Sequence, residues 1–184
     1  MVPALSLWLP VILSAVFVFI ASSLVHMLLK YHGGDFRPLP SEDDVMADLR
    51  KYDIEPGEYY MPFISDMKDR ETPGFKEKLA KGPVGFMTIT SSDYEMGKSL
   101  AAWFIYCLLV GFFTAYLAGL ALSPGASFME VFRFAGTASF GAYFLALVQN
   151  SIWYKRAWKT TAKYLLDGFI YATLTAATFG WLWP

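Results

Sequence analysis

The stretch LSLWLPVILSAVFVFIASSLVHMLL, residues 5–29, decides the fold because it is 25 residues long and carries no formal charge. A helix of this length is long enough to cross a hydrocarbon core about 30 Å thick. A cleaved signal peptide is the alternative, since Ala21, Ser22 and Ser23 are small enough to form a cleavage site. That alternative is disfavoured because no basic residue precedes the apolar run, which is also too long. We therefore predict a retained transmembrane helix.

Three further apolar blocks follow the first one and indicate an integral membrane protein. They cover residues 100–122, 132–152 and 164–183, with lengths of 23, 21 and 20 residues. The 184-residue chain is 55% apolar and 17% charged, against about 25% charged residues in soluble domains. We predict an all-α integral membrane protein with four transmembrane helices, so that both chain ends lie on the same side of the membrane.

The basic residues are distributed very unevenly, and their distribution predicts the orientation in the membrane. Fourteen of the fifteen lysines and arginines lie in residues 30–98 or 155–163. Basic residues near the ends of transmembrane helices are retained in the cytoplasm. We therefore expect a multi-pass protein of a bacterial-type inner (plasma) membrane, with both termini outside and the loop 31–98 in the cytoplasm.

The loop between the first two predicted spans differs in composition from the rest of the chain. Residues 31–98 contain fourteen acidic and nine basic side chains, with prolines and glycines between short periodic segments. Ser41 and Thr72 are placed to cap two helices, and strands are predicted at 59–64 and 84–90. The order helix, strand, helix, strand predicts a small α/β domain that is marginally stable alone. The predicted domains are the first transmembrane helix (1–30), the cytoplasmic loop domain (31–98) and a three-helix transmembrane segment (99–184).

Small residues recur at every fourth position in the last two predicted spans. In a bilayer, such stripes let helix backbones approach closely, which stabilises helix association without hydrophobic burial. Packing within the chain is favoured over a homodimer seam, because short connections already make these helices neighbours. The predicted helix-packing residues are Gly168, Ala172, Ala176 and Gly180 in one stripe, and Ala138, Ala142 and Ala146 in the other.

Few residues of the chain suit a catalytic or metal-binding role. His26 and His32 are the only histidines, and a separation of six residues does not place both on one helical face. A haem would need a second ligand from another subunit, so no metal centre and no catalytic residues are predicted. Cys107 is the only cysteine, which excludes an intrachain disulfide. Lys163 and Asp167 are four residues apart and are expected to form an ion pair with each other.

The predicted function is that of a non-catalytic accessory or structural subunit of a larger membrane complex. Its expected partners are membrane lipids and other membrane-protein subunits, and the net charge of −1 gives no reason to expect nucleic acid. The sequence requires no cofactor. The predicted partner contacts are the loop aromatics Tyr59, Tyr60, Phe63 and Phe86.

Two other functions stay open from the sequence. A carrier or sensor would bind a small apolar molecule, such as a quinone or lipid, within the helix bundle, with His26, Gln149 and Asn150 as polar contacts. A membrane enzyme would use His26, His32 and Asp35, but the chain contains no motif that indicates a particular reaction.

Overall fold

The computed structural model describes residues 1–93 and 95–184 and divides the chain into two compact units. The first unit contains Met1–Phe36 and Met96–Pro184, and the second contains Arg37–Glu95. The chain is mostly helical, at 66%, with a small two-stranded antiparallel sheet. The helices are α1 (Trp8–Met27), α2 (Glu42–Arg50), α3 (Pro73–Lys81), α4 (Met96–Ala121), α5 (Phe128–Tyr143), α6 (Val148–Ile152) and α7 (Trp158–Trp181), and the strands are β1 (Gly57–Met61) and β2 (Gly85–Ile89).

Three helical stretches within the described residues are long and apolar enough to cross a membrane, which is typical of a multi-pass membrane protein. They are Ala4–Met27, Met96–Ala121 and Phe128–Ile152, with mean hydropathies of 2.4, 2.0 and 1.5. The predicted fourth span at 164–183 is not confirmed. The corresponding helix α7 is present, but its first ten residues include Lys159, Lys163 and Asp167, which lower its hydropathy.

The four long helices α1, α4, α5 and α7 form a closed ring in the first unit. Helix α1 packs against α4 and α7, and α5 packs against the same two helices, so α1 and α5 lie diagonally opposite. One apolar cluster inside the ring contains Val18, Cys107 and Tyr171. A second cluster contains Val131 and Phe179. Buried apolar side chains therefore fill the centre of the ring.

Small residues allow α5, with the residue that follows it, and α7 to approach closely. A Cβ atom added at Gly168 would lie 3.0 Å from the Cβ of Phe144, and one added at Gly136 would lie 3.2 Å from the Cβ of Ala176. The α7 stripe predicted from the sequence is largely buried in the structure. Gly168, Ala172 and Ala176 are buried, and Gly180 is half-buried.

The predicted alanine stripe of α5 lies mostly away from the other helices. Ala138 is half-buried, whereas Ala142 and Ala146 are exposed. The helix also ends at Tyr143, because the next residue leaves helical geometry and a 3-10 turn at Leu145–Leu147 follows. The predicted continuous helix 132–152 is therefore interrupted. The buried stripe of α5 consists instead of Val131, Ala135, Ser139 and Tyr143.

The second unit contains the predicted helices and strands in the predicted order. β1 and β2 pair in antiparallel fashion, with Tyr60 opposite Phe86. β1 ends at Met61 rather than at residue 64, because Pro62 has no N–H to donate to a neighbouring strand. The sheet is therefore shorter than the aromatic pattern predicted.

Helix capping in the second unit is confirmed at one helix and wrong at the other. The Thr72 hydroxyl accepts a hydrogen bond of 3.4 Å from the Phe75 N–H at the start of α3. Ser41 precedes α2, but its φ is 48° and its side chain makes no capping bond. A residue with a positive φ does not have the extended backbone that directs a capping side chain to the first turn.

Candidate functional site

Ionisable side chains gather where the segment after α1 meets the first half of α7. After Met27 the chain reverses direction, with Lys30 in the left-handed region at a φ of 50°. A 3.0 Å backbone bond from the Gly33 N–H to the Lys30 carbonyl closes the turn. The turn returns His32 to the side of His26, with ring centroids 4.5 Å apart. Two histidines that do not share a helical face are thus neighbours.

The opposite wall of this site comes from one face of α7. Thr160, Lys163 and Asp167 are spaced by three and four residues, so they lie on the same side of the helix. All three contact the segment after α1. We call the complete set the polar cluster; its members are His26, Tyr31, His32, Asp35, Thr160, Lys163 and Asp167.

Asp167 is buried and is held by two groups from the segment after α1. Its side chain is only 2% exposed. The Tyr31 hydroxyl donates a hydrogen bond to Asp167 Oδ1. The Nε2 atom of His32 lies 2.9 Å from Asp167 Oδ2. Both carboxylate oxygens therefore have partners, as is usual for buried polar atoms.

His32 lies between two carboxylates. Its Nδ1 atom is 2.6 Å from Asp35 Oδ2, while its Nε2 atom contacts Asp167. Both ring nitrogens donate at once only in the imidazolium form. His32 therefore bridges the two acids through its two ring nitrogens.

Asp35 links the histidine to α7. Lys163 Nζ lies 2.5 Å from Asp35 Oδ1 and also donates to the Tyr31 carbonyl, and Thr160 Oγ1 lies 3.4 Å from the same aspartate oxygen. Burial alone would raise the pKa of Asp35, but the hydrogen bonds from Lys163 and His32 outweigh burial and hold that pKa below its usual value. Asp35 therefore carries a stabilised negative charge.

The tyrosine in the cluster remains neutral. Burial raises the pKa of Tyr31 well above 10, and the hydrogen bond to Asp167 raises it further. Tyr31 therefore acts as a hydrogen-bond donor to Asp167 throughout the physiological pH range.

Aromatic contacts surround the two histidines. The ring of Tyr164 lies 5.0 Å from that of His32 and 6.3 Å from that of His26. The Arg156 guanidinium lies over the Tyr164 ring, 4.3 Å from its centroid. Such a cation–π contact fixes the tyrosine ring against which the histidines pack.

One nitrogen from each histidine and an Asp167 oxygen all lie within 4.8 Å of one another. His26 is exposed, His32 is half-buried and Asp167 is buried. The expectation of no metal centre was based on the six-residue separation of the two histidines, but the chain reversal brings these histidines together. The hydrogen bonds of Tyr31, His32 and Asp35 form a clamp between the segment after α1 and α7. The donor atoms of His26, His32 and Asp167 could hold a metal ion.

The two other residues predicted to contact a small apolar ligand do not belong to this cluster. Gln149 is exposed and Asn150 is half-buried on the short helix α6, and neither amide side chain bonds to His26 within residues 1–93 and 95–184. The residues named for a membrane enzyme, His26, His32 and Asp35, all belong to the cluster.

Sequence reasoning missed the role of α7 in this site. Lys163 and Asp167 do not pair with each other among the contacts of the described residues; they bind Asp35 and His32. A usable signal was present, namely three polar residues on one face of α7 at 160, 163 and 167.

The predicted partner contacts lie in the second unit. Tyr60 and Phe86 face each other across the sheet with ring centroids 4.7 Å apart, and both are exposed. Tyr59 is also exposed and donates through its hydroxyl to the Glu55 carbonyl, at 2.8 Å. Phe63 follows β1 and is 76% exposed.

A comparison of the chain with protein-family models, curated proteins and solved structures finds no match in any of the three.

Proposed function

We propose that this chain is a four-span protein of a bacterial-type inner membrane and acts as a non-catalytic accessory subunit of a larger membrane complex. In this proposal α7 is the fourth span, both termini lie outside, and residues 31–98 lie in the cytoplasm.

Backbone bonds at one end of the ring support a fourth crossing by α7. The Val2 N–H donates to the Gly119 carbonyl at 2.8 Å, and the Gly125 N–H donates to the Pro184 carbonyl at 2.6 Å. Both ends of the described bundle thus lie beside the connection between α4 and α5. Four antiparallel helices produce this arrangement, whereas three crossings would place the two ends on opposite sides.

The single observation that carries the subunit proposal is the lack of a core in the second unit. None of the described residues in 37–93 and 95 is buried. Its aromatic side chains are exposed to the extent of 76% at Phe63 and 46% at Phe86. A folded element of this size whose described apolar residues are at most partly buried is marginal in stability, so a covering surface would stabilise it.

The net negative charge of the second unit favours a protein, rather than a lipid surface, as the surface that covers it. Residues 37–95 contain thirteen acidic and eight basic side chains. An acidic segment is repelled by the anionic headgroups of a cytoplasmic leaflet. We therefore propose a protein subunit whose contact surface is apolar at its centre and basic at its rim.

The test is purification of the tagged chain from its native membranes in mild detergent, with a photo-crosslinker at Tyr60. We expect one polypeptide to co-purify in fixed ratio and to crosslink. Phe63→Ser and Phe86→Ser should each reduce its recovery about tenfold or more, as loss of an aromatic anchor does. Phe36→Ser is the matched control, since Phe36 is 86% exposed but lies outside the second unit. A chain that purifies alone, or equal recovery from all variants, contradicts the proposal.

A groove between α5 and α7 favours a second candidate, a carrier or sensor of a phospholipid. The groove has a volume of about 540 Å³, and Phe132, Phe140 and Phe169 line it together with Arg133. This volume is typical of small-molecule sites, and Arg133 would pair with a headgroup phosphate. Native mass spectrometry should then show one retained anionic lipid, lost in Arg133→Gln but kept in the control Arg37→Gln. Equal retention in both variants would exclude this candidate.

A further inference from the structure

We propose that His26, His32 and Asp167 bind a divalent transition-metal ion of the zinc type at the junction of α1 and α7. This site is independent of the proposed subunit role, because all three ligands belong to the first unit. The proposal depends on the identity of the donors, their mutual distances, their surrounding hydrogen bonds and their access to solvent.

The donor set matches borderline cations. Two imidazoles and one carboxylate are typical ligands of Zn²⁺, Fe²⁺ and Co²⁺, whereas Mg²⁺ and Ca²⁺ prefer oxygen ligands alone. The three ligand atoms lie within 4.8 Å of one another. Ligands about 2.0–2.2 Å from a shared ion are separated by at most about 4.4 Å. The largest of the three separations thus exceeds this limit by at most about 0.4 Å.

The surrounding hydrogen bonds are those of a metal site. Metal-bound histidines almost always donate their second ring N–H to a carboxylate or carbonyl, which fixes the tautomer that binds the ion. Asp35 Oδ2, 2.6 Å from His32 Nδ1, occupies this position and leaves His32 Nε2 for the ion. Lys163 in turn neutralises Asp35 at 2.5 Å.

Asp167 is also oriented by its neighbours. The Tyr31 hydroxyl bonds to one carboxylate oxygen, Oδ1, and the other, Oδ2, faces His32. The oxygen that faces His32 is therefore the one that would bind the ion. The 2.9 Å contact between His32 Nε2 and Asp167 Oδ2 would be replaced by two bonds to the metal.

The three ligands are buried to different extents, and the exposed one, His26, gives an ion access to the site. Asp167 and His32 form a largely buried wall, whereas His26 is exposed. Three protein ligands leave at least one coordination position open, as in catalytic rather than structural zinc sites. Water or an external ligand would complete the shell.

A substitution at His26 distinguishes metal binding from a purely structural role of the polar cluster. His26 makes ring contacts but no hydrogen bond among the contacts of the described residues. The bonds between the α1 segment and α7 run instead through Tyr31, His32 and Asp35. Replacement of His26 should therefore remove a ligand and leave the clamp intact.

The experiment titrates Co²⁺ into the full chain, purified in detergent without a polyhistidine tag and stripped with a chelator. We expect saturation at one equivalent, visible d–d absorption bands, and displacement of Co²⁺ by Zn²⁺. His26→Ala and Asp167→Asn should weaken binding about 100-fold or more, and Asp35→Asn about 10–100-fold, as for an outer-shell partner. Asp48→Asn is the carboxylate control, because Asp48 is exposed and pairs only with Lys51 among the described contacts.

Circular dichroism and size-exclusion chromatography accompany each variant. If Asp167→Asn fails to fold, His26→Ala decides the question, because its clamp contacts are retained. Saturable binding lost in His26→Ala supports the metal site. Weak, non-saturating uptake by the wild-type chain, or equal Co²⁺ affinity in wild type and His26→Ala, overturns it.

Discussion

Asp35 determines how the polar cluster responds to pH, since its carboxylate contacts both Lys163 and His32. Its pKa in the folded, metal-free chain is held below the ordinary carboxyl value, so the ionised form favours folding. This stabilisation is fully present above the ordinary pKa, about 4. The stabilisation is lost as the pH falls through the lowered pKa that Asp35 has in the folded chain.

We therefore expect Asp35→Asn to destabilise the metal-free protein at pH 7 by about 3 kcal/mol, because it leaves the Lys163 ammonium without its acid partner. The variant should also lose part of the decrease in stability below pH 4. Denaturation followed by circular dichroism in detergent between pH 2.5 and 7 checks both effects. The exposed control Asp48→Asn should change stability by less than about 1 kcal/mol. Parallel pH profiles for wild type and Asp35→Asn would refute this role of Asp35.

At the residue scale, the sequence identified several members of the cluster but not their partners. His26, His32 and Asp35 were recognisable as unusual polar residues next to an apolar span. Their contacts depend on the reversal at Lys30 and Gly33, a local backbone geometry that helical periodicity does not describe. An ion pair between Lys163 and Asp167 was predicted from their four-residue spacing. In the structure, each of them instead contacts a residue of the segment after α1.

At the scale of elements, the long apolar runs predicted where the long helices lie, because a run of this length and composition favours a membrane-spanning helix. The interruption after Tyr143 was not predictable from hydropathy, since LAL at 145–147 is as apolar as the helices around it. The alanine stripe of α5 is mostly exposed in the structure, and a different face of the helix packs against its neighbours. A stripe of small residues shows where close approach is possible, but the packing partner selects the face that is used.

Helix α7 approaches Phe144, the residue directly after α5, most closely at Gly168. A Cβ there would lie 3.0 Å from the Phe144 Cβ, an atom close to the backbone that has little freedom to move. Gly168→Ala should therefore destabilise the bundle by about 1–3 kcal/mol through overpacking.

Gly141→Ala is the matched control, because the nearest atom to an added Cβ there is 3.9 Å away. It should be neutral or stabilising by up to about 1 kcal/mol, since alanine favours helix. Thermal unfolding in detergent measures both variants. Equal effects at the two glycines would show that close packing at Gly168 is unimportant.

At the scale of the whole molecule, the number of crossings determines the proposed arrangement. With α7 as a fourth span, residues near both chain ends face the exterior, and the second unit faces the cytoplasm. In a Cys107→Ser background, an impermeant thiol reagent should label Gly125→Cys and Trp183→Cys in intact cells. It should label Glu58→Cys only after permeabilisation.

Labelling of Trp183→Cys only after permeabilisation would indicate three crossings instead of four. Labelling of Glu58→Cys in intact cells would place the second unit outside and overturn the proposed partner location. The control is the unsubstituted Cys107, which is buried and should stay unlabelled in both conditions.

The polar cluster also determines where the folded part of the first unit ends. Tyr31, His32 and Asp35 are bonded to α7, so the segment 28–35 is held against that helix. Loss of these bonds would release eight more residues from the folded unit, and in extended form they would span roughly 25 Å.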